Sequence, residues 1–586
     1  MRIILCLLFL ILVGDSAQAQ NEDHTWMLGF TTNAPDSLIS IMAIDFNETP
    51  STITKIDQEF SFFNTNTIVS NSEGELQCYS NGVEIRNSNH EVIINGEEFI
   101  PSASNPLGNS MRHGSLLLPT PEANNQYVFL FGESVFYDIG GDLEAGISPL
   151  TYSYLDMNAN NGGGEVIEKK SVLCTDTLSF GLLTSTRHAN GRDWWILMNK
   201  NESNSYYRFL LNPEGVVTDG FQVIGDTIID GLAQAIFSPD GDWYAQYNWS
   251  GIIGGGQPTD TYIDIYQFDR CTGLLSNHLQ IKDEGNGVPG GVSFSPSSKY
   301  LYISGWDKIY QFDLEAVDVA ASRDTVAIYD GFEYEYNNIT YQPRFYNMQN
   351  TPDGKIYISC PNTSSRYLHV IDQPDSAGIA CNVLQHHIEL PAFNLFSLPN
   401  LPNYRLGALE GSPCDTLKPI ATFTYSDDML EVTFEDMTSR GPTTWYWDFG
   451  DNMTSDEQHP VHDYSTPGTY EVCLIASNAI GSDTVCQEIT LMVNQVIELK
   501  EPLGLQVYPN PADDFLYLNF NTPLRKTYQF QLVNYAGKQL LSRDLSQDMS
   551  KYSINTSQFP IGLYMYHIND LSGELIVTGK FVISRL

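Results

Sequence analysis

"FSPDGDWYAQY" (237–247), "FSPSSKYLYISG" (294–305) and "NTPDGKIYISC" (350–360) are three versions of one pattern, and they decide the fold. Their Ser/Thr-Pro pairs start at 238, 295 and 351, so the separations are 57 and 56 residues. Proline presets φ for the first central position of a turn, and the residues after it complete the reversal between two apolar strands. Each unit therefore reads as strand, tight turn, strand, loop, strand.

Three less regular stretches share the apolar run, the turn and the second strand: "CYSNGVEIRNSNHEVI" (78–93), "HGSLLLPTPEANNQYVFLFG" (113–132) and "TRHANGRDWWILMN" (186–199). Repeats of this length with several strands each are typical of a β-propeller. We count six candidate blades in residues 22–412. A seventh is expected to close between "WMLGF" (26–30) and the segment near "FSLPNLPNYRLG" (396–407), and the turns resemble those of WD40-like and TolB-like propellers.

The first twenty residues, "MRIILCLLFLILVGDSAQAQ", combine one Arg, an apolar run and small residues at Ala17 and Ala19. This pattern is typical of a cleaved secretory signal, here residues 1–19. The run is too short to span a bilayer, and no other stretch reaches eighteen apolar residues. We expect an exported chain without a transmembrane segment.

Acidic residues number 71 against 29 basic ones, which gives a formal charge of -42 spread along the chain. Such a field repels nucleic acid and anionic membranes, so no nucleic-acid partner is expected. The charge is compatible with calcium, but no EF-hand loop is present. Calcium is therefore a possibility without a specific motif, and no other cofactor is expected.

Residues 417–494 contain "WYWDFGDN" (445–452), "HPVHDY" (459–464) and "PGTYEVCLIASN" (467–478). These motifs resemble a PKD domain, an immunoglobulin-like β-sandwich with the hallmark W-D-F-G-D-G. Asn452 stands where the family has Gly, and Asn also enters left-handed conformations. The resemblance implies a spacer or adhesion module.

Eight cysteines remain after the signal segment, and none forms a C-x-x-C motif. Cys473 and Cys486 flank the turn "SNAIGS" (477–482). If Ser477 faces Ser482, antiparallel pairing also places Cys473 opposite Cys486, at a separation that permits a disulfide. The alternative is two separately buried thiols, and the other pairings stay open.

The end of the chain carries four ordered motifs: "QVYPNPADDFLYLNF" (506–520), "QLVNYAGKQLL" (531–541), "IGLYMYHI" (561–568) and "GKFVISRL" (579–586). Over residues 503–586 they resemble the type A C-terminal sorting domain of the type IX secretion system of Bacteroidetes. The resemblance implies a small β-sandwich that the secretion translocon recognises as an export signal. This domain is usually removed. The residues that match the sorting motif are Tyr508, Pro509, Asn510, Pro511, Gly537 and Lys538.

Catalytic motifs are missing from the sequence, which has no G-x-S-x-G, no P-loop and no complete H-E-x-x-H. A carboxylate pair needs only spatial proximity, so the sequence does not select one. Because propeller ligands meet the ends of the inner strands, His113, Gln234 and Asn347 are candidate channel-facing binding residues. The alternative is that they are solvated pore or loop residues.

The sequence therefore predicts an all-β protein with a seven-bladed propeller, a PKD sandwich and a sorting sandwich, secreted or held at the cell surface. It favours a non-enzymatic platform that binds extracellular glycans or proteins. The rival hypothesis is a propeller hydrolase or lyase acting on polysaccharide.

Overall fold

The computed structural model describes residues 21–32, 38–101, 107–139, 142–228, 234–249, 261–283, 289–362, 364–409, 411–491, 503–534 and 538–585. The predicted signal peptide at 1–19 lies outside these residues. The chain forms two compact units, Met1–Ser465 with Thr469–Thr490, and Thr466–Gly468 with Leu491–Leu586.

The first four sheets of the larger unit are antiparallel, and their strands pair in chain order. They are β1 (Thr25–Gly29), β2 (Ile41–Asp45) and β3 (Thr52–Ile56); β4 (Thr67–Ser70), β5 (Leu76–Ser80) and β6 (Ile85–Asn87); β7 (Ser115–Pro119), β8 (Gln126–Ile139), β9 (Asp142–Asp156) and β10 (Glu165–Cys174); β11 (Thr184–Arg187), β12 (Trp194–Asn199), β13 (Ser203–Asn212) and β14 (Gly215–Ile228).

Three more sheets and one hairpin follow, again antiparallel. They are β15 (Gln234–Phe237), β16 (Trp243–Trp249), β17 (Thr261–Asp269) and β18 (Leu274–Asp283); β19 (Pro289–Phe294), β20 (Tyr300–Gly305), β21 (Lys308–Asp313) and β22 (Asp324–Ile328); the hairpin β23 (Tyr334–Tyr336) and β24 (Ile339–Tyr341); and β25 (Met348–Asn350), β26 (Ile356–Ile358), β27 (Ser365–Ile371) and β28 (Val383–Asn394). Helical turns occur at Ala159–Gly162, Ala320–Ser322 and Gly378–Cys381.

The sheets are arranged as a β-propeller. The first strands of neighbouring sheets contact one another, β1 with β4, β4 with β7, β11 with β15, β15 with β19 and β19 with β25. The last strand closes the ring, because the Gly29 N–H donates to Asn394 Oδ1 (3.2 Å) and the Phe393 N–H donates to Leu38 O (2.8 Å). The described residues contribute seven sheets, and the number of blades stays a prediction.

One expectation about ring closure is wrong. Residues 396–407 contribute no strand to the sheet of "WMLGF". β28 contacts β1, β2 and β3 instead, so the last sheet packs directly on the first. The prolines at 399 and 402 explain the difference, since proline cannot donate a ladder hydrogen bond.

The repeating turns are held by the hydroxyl that precedes each proline. Ser238 Oγ accepts the Trp243 N–H (2.9 Å), Ser295 Oγ accepts the Tyr300 N–H (3.2 Å) and Thr351 Oγ1 accepts the Lys355 N–H (3.2 Å). This local side-chain bond satisfies the first donor of β16 and of β20, and the donor just before β26. The regular spacing of the Ser/Thr-Pro pairs therefore reflects the same turn hydrogen bond in three successive sheets.

The PKD segment forms two sheets, β29-β30-β33 and β32-β31-β34-β35, packed around Phe434 and Trp447. Asn452 has φ +73°, as the left-handed position requires. The structure contains the Cys473–Cys486 disulfide, with 2.05 Å between the sulfurs. The strands are β29 (Phe423–Asp428), β30 (Glu431–Asp436), β31 (Thr444–Asp448), β32 (Thr454–Ser455), β33 (Val461–Asp463), β34 (Gly468–Ser477) and β35 (Ser482–Leu491).

The C-terminal segment also forms two sheets, β36-β37-β40 and β39-β38-β41-β42. Tyr508 ends β36, and Asn510 Oδ1 accepts the Val582 N–H (2.9 Å), which ties the proline motif to the last strand. The Lys538 N–H donates to Asn534 Oδ1 (2.9 Å), while Gly537 lies outside the described residues. The strands are β36 (Leu505–Tyr508), β37 (Phe515–Phe520), β38 (Tyr528–Asn534), β39 (Gln539–Leu545), β40 (Lys551–Asn555), β41 (Gly562–Asn569) and β42 (Leu575–Ile583).

Candidate functional site

The channel of the propeller is occupied by its own chain. Residues 395–409, which we call the channel strap, follow β28 and contact the inner strands of several sheets. Asn400 donates from its backbone N–H to Asn66 O (2.8 Å) and from Nδ2 to Ser115 O and Leu183 O (both 3.0 Å). The Tyr404 hydroxyl donates to Leu117 O (3.1 Å). The strap therefore supplies partners for backbone carbonyls that face the ring axis.

The far end of the strap is fixed to loops of the fourth and fifth sheets. Arg270 donates to Gly407 O (2.5 Å), and the Leu409 N–H donates to Ala189 O (2.8 Å). Just beyond the strap, Cys414 forms a disulfide with Cys271, which lies between β17 and β18. This bridge joins residues 143 apart in sequence, and no sequence pattern indicated it.

The three predicted channel residues lie at the N-terminal ends of inner strands and are buried. Gln234 Nε2 donates to Met348 O (2.6 Å), and Gln234 Oε1 accepts the Val292 and Met348 N–H groups (3.2 Å each). Asn347 Nδ2 donates to Phe396 O (3.4 Å). Burial lowers the pKa of His113 to about 4. Gln234 thus links neighbouring inner strands, and Asn347 links an inner strand to the strap. Ligand binding by His113, Gln234 and Asn347 stays a prediction.

A cavity of about 280 Å³ opens where the repeating turns meet the strap. Its wall combines residues of the repeating turns, of the inner strands β11, β15 and β25, and of the strap, together with Asp23. The lining residues are Asp23, Thr184, Ser185, Ile236, Phe237, Pro239, Pro296, Gln349, Asn350, Thr351, Pro352, Gly354, Leu401, Pro402, Asn403 and Arg405. The volume is slightly below the range of about 300–1,000 Å³ that is usual for ligand pockets.

An ion pair forms one side of this cavity. Arg405 donates to Asp23 Oδ1 over 2.5 Å, across 382 residues of sequence. The Asp23 side chain is 8% exposed and that of Arg405 is 40% exposed. Burial raises the pKa of Asp23, and the Arg405 guanidinium opposes that rise. The pair therefore opposes the protonation of Asp23 that burial favours.

Sequence reasoning missed both members of this pair, and it missed the strap. A useful signal was present nonetheless, since Pro239, Pro296 and Pro352 come from the three regular repeats and all line the cavity. Equivalent residues of equivalent hairpins lie at one end of a propeller. The repeats therefore indicate which end of the propeller holds the cavity. They do not indicate that the strap and the Asp23–Arg405 pair form the rest of its wall.

In the part of the chain that the structure describes, no group of three or more His, Cys, Asp or Glu side chains is placed to hold a metal ion. No helix in the same described residues is long and apolar enough to cross a membrane. His462 Nε2 lies 2.8 Å from Asp451 Oδ2 and its ring stacks on Phe449, so this histidine is part of the PKD core.

Two family models match the chain. Residues 416–493 match the PKD domain, and residues 506–584 match the secretion system C-terminal sorting domain. These modules define the class as an exported multidomain protein. The chain carries a propeller body, a PKD domain and a type IX sorting domain, and it is secreted to the cell surface or beyond it.

Solved structures give further similarities. The chain is 31% identical to the PKD1 domain of the Vibrio cholerae metalloprotease PrtV, over 13% of this chain and 100% of that one, with a TM-score of 0.13. It is 13% identical to a provisionally assigned 6-phosphogluconolactonase from Bacteroides fragilis, over 66% of this chain and 98% of that one, with a TM-score of 0.38. No curated protein sequence matched the chain.

Proposed function

We propose that the chain is an exported, non-enzymatic binding platform for an extracellular glycan or protein, and that the cavity between turns and strap is its binding site. The observation that carries this proposal is the composition of the cavity wall. Three prolines and Phe237 supply apolar surface, while Asn350 and its polar neighbours supply hydrogen-bonding groups. Ligand pockets combine apolar lining with a few convergent polar groups in this way.

The strap also supports the proposal. Asn400 and Tyr404 anchor it within the channel, and the Cys271–Cys414 disulfide fixes the chain just after it, so the cavity wall is held before any ligand arrives. A pre-organised wall lowers the entropy lost on binding. In this proposal the PKD domain acts as spacer or adhesion module, and the sorting domain supplies export through the type IX translocon.

The test is a glycan and protein array probed with the full-length chain, with and without calcium. We expect binding to at least one ligand class. Asn350→Ala removes an amide from the cavity wall and should weaken binding about tenfold or more, which corresponds to 1.4 kcal/mol. Asn89→Ala, which changes an exposed asparagine of a turn outside the cavity, is the matched control and should bind as the parent does.

Two results would count against this proposal. Absence of binding on every array would overturn it. Turnover of a polysaccharide, lost in Asn350→Ala and kept in Asn89→Ala, would replace the binding platform with the rival hydrolase or lyase.

A further inference from the structure

We propose that the cavity takes a neutral, hydroxyl-rich ligand, the end of an uncharged glycan chain. This inference rests on the proposed function and narrows its ligand to one chemical class.

The charges of the cavity wall favour a neutral occupant. Among the described residues that line the cavity, Asp23 and Arg405 are the charged ones, and each is the other's partner. An anion on the remaining donors of Arg405 would lie close to the Asp23 carboxylate and be repelled by it. An anion that drew Arg405 away would leave the buried Asp23 unpaired, which is strongly unfavourable. A cation would have to displace the guanidinium from the same carboxylate. A neutral ligand leaves the pair intact and uses the remaining guanidinium donors.

The polar groups of the wall suit hydroxyl groups. Thr184 and Ser185 supply hydroxyls, and Gln349 and Asn350 supply amides. The other two uncharged polar side chains of the wall are held within the chain: Thr351 Oγ1 bonds its own turn, and the Asn403 amide bonds Pro239 O and the Arg405 N–H. Ser185 Oγ is buried and has no hydrogen-bond partner among the described residues. A sugar hydroxyl both donates and accepts, so it can pair with a hydroxyl or with either end of an amide.

The apolar groups of the wall suit a ring with C–H faces. Pro239, Pro296 and Pro352 are rigid and carry no backbone N–H, so they present C–H surface without an unsatisfied donor. The net charge of -42 adds a long-range term, since it repels polyanionic glycans before contact. The cavity wall and the long-range field therefore both disfavour anionic ligands, and the wall alone disfavours cationic ones.

The experiment is isothermal titration of the full-length chain with ligand pairs that share a backbone and differ in charge. N-acetylated chito-oligosaccharides are compared with their deacetylated, cationic forms. Methyl-esterified oligogalacturonides are compared with the free, anionic acids, and neutral gluco-, manno- and galacto-oligosaccharides complete the panel. We expect at least one neutral sugar to bind, and each bound neutral form to be tighter than its charged counterpart by about tenfold or more in Kd.

Three variants locate the effect. Asn350→Ala should weaken the neutral ligand about tenfold, and Asn89→Ala should leave its Kd unchanged. Arg405→Gln leaves Asp23 without its partner, so the preference should shift toward the cationic oligosaccharide. Thermal unfolding midpoints show whether each variant folds, and the comparison of Asn350→Ala with Asn89→Ala stands without Arg405→Gln.

The outcomes separate this inference from the proposed function. Tighter binding of a charged form, or of a peptide, with loss in Asn350→Ala overturns the neutral-glycan inference and leaves the binding platform in place. Neutral-sugar binding that Asn350→Ala does not weaken overturns the assignment to this cavity. Absence of binding to all sugars and to the protein array overturns both.

Discussion

His369 is a fully buried histidine in the last propeller sheet. Its Nδ1 accepts the His386 N–H (3.0 Å), and its Nε2 lies 3.6 Å from Cys360 Sγ. Burial lowers the pKa of His369 to about 4 from the ordinary 6.5. The folded state therefore holds the neutral ring, while the unfolded chain takes up a proton below about pH 6.5.

The first prediction follows from that difference. A folded pKa below the unfolded value means that stability is complete above about pH 6.5 and falls as the pH drops toward about 4, by up to about 3 kcal/mol. His369→Gln should remove this part of the pH dependence, measured by denaturant unfolding at pH 7 and pH 5. His387→Gln removes an exposed histidine as control, and an equal pH slope in parent and His369→Gln would contradict the prediction.

The second prediction concerns the turn hydroxyls. Each of Ser238, Ser295 and Thr351 accepts one backbone N–H at the end of its turn, so each change to Ala should cost about 1 kcal/mol of the free energy of unfolding. The triple variant should lose about 3 kcal/mol if the sites are independent. Ser276→Ala, on an exposed position of β18, should stay within about 0.5 kcal/mol of the parent. If a turn variant lost no more stability than the Ser276→Ala control, the turn hydroxyls would not stabilise the fold and the prediction would be wrong.

At the scale of elements, the channel strap depends on Asn400, which makes three hydrogen bonds to the propeller. Asn400→Ala leaves Ser115 O and Leu183 O without their side-chain donor inside the ring, which should cost about 3 kcal/mol. A loosened strap should also expose Arg405, so trypsin should cleave after Arg405 faster than in the parent. Asn89→Ala is the control, and unchanged cleavage in Asn400→Ala would mean that other contacts hold the strap.

The sequence predicts the elements that local patterns control. The Ser/Thr-Pro pairs locate the hairpins β15-β16, β19-β20 and β25-β26, because turn chemistry acts over a few residues. The Cys473–Cys486 pair follows from one short hairpin. The Asp23–Arg405 pair, the Cys271–Cys414 bridge and the strap depend on contacts across hundreds of residues, and no local pattern specifies which distant residues meet. The cavity belongs to this second group.

At the scale of the whole molecule, the two disulfides should contribute unequally. Cys271–Cys414 spans 143 residues and Cys473–Cys486 spans 13. In the chain-entropy account the longer loop gives about 4–5 kcal/mol and the shorter about 3 kcal/mol.

Replacing both cysteines of each bridge by Ser, in two separate variants, tests that order through thermal unfolding midpoints. The variant of Cys271 and Cys414 should unfold at the lower temperature. The reverse order, or two unchanged midpoints, would contradict the prediction.

The strap also sets an order of events for a growing or translocating chain. All seven sheets precede residue 395, yet the carbonyls that face the ring axis receive their partners from residues that emerge after the last sheet. A chain that stops after β28 contains every propeller strand of the described residues. It lacks the strap, around which those strands close. Folding of the propeller is therefore complete only after Cys414 has emerged. The boundary of the propeller as a folding unit lies at Cys414, about twenty residues after its last strand.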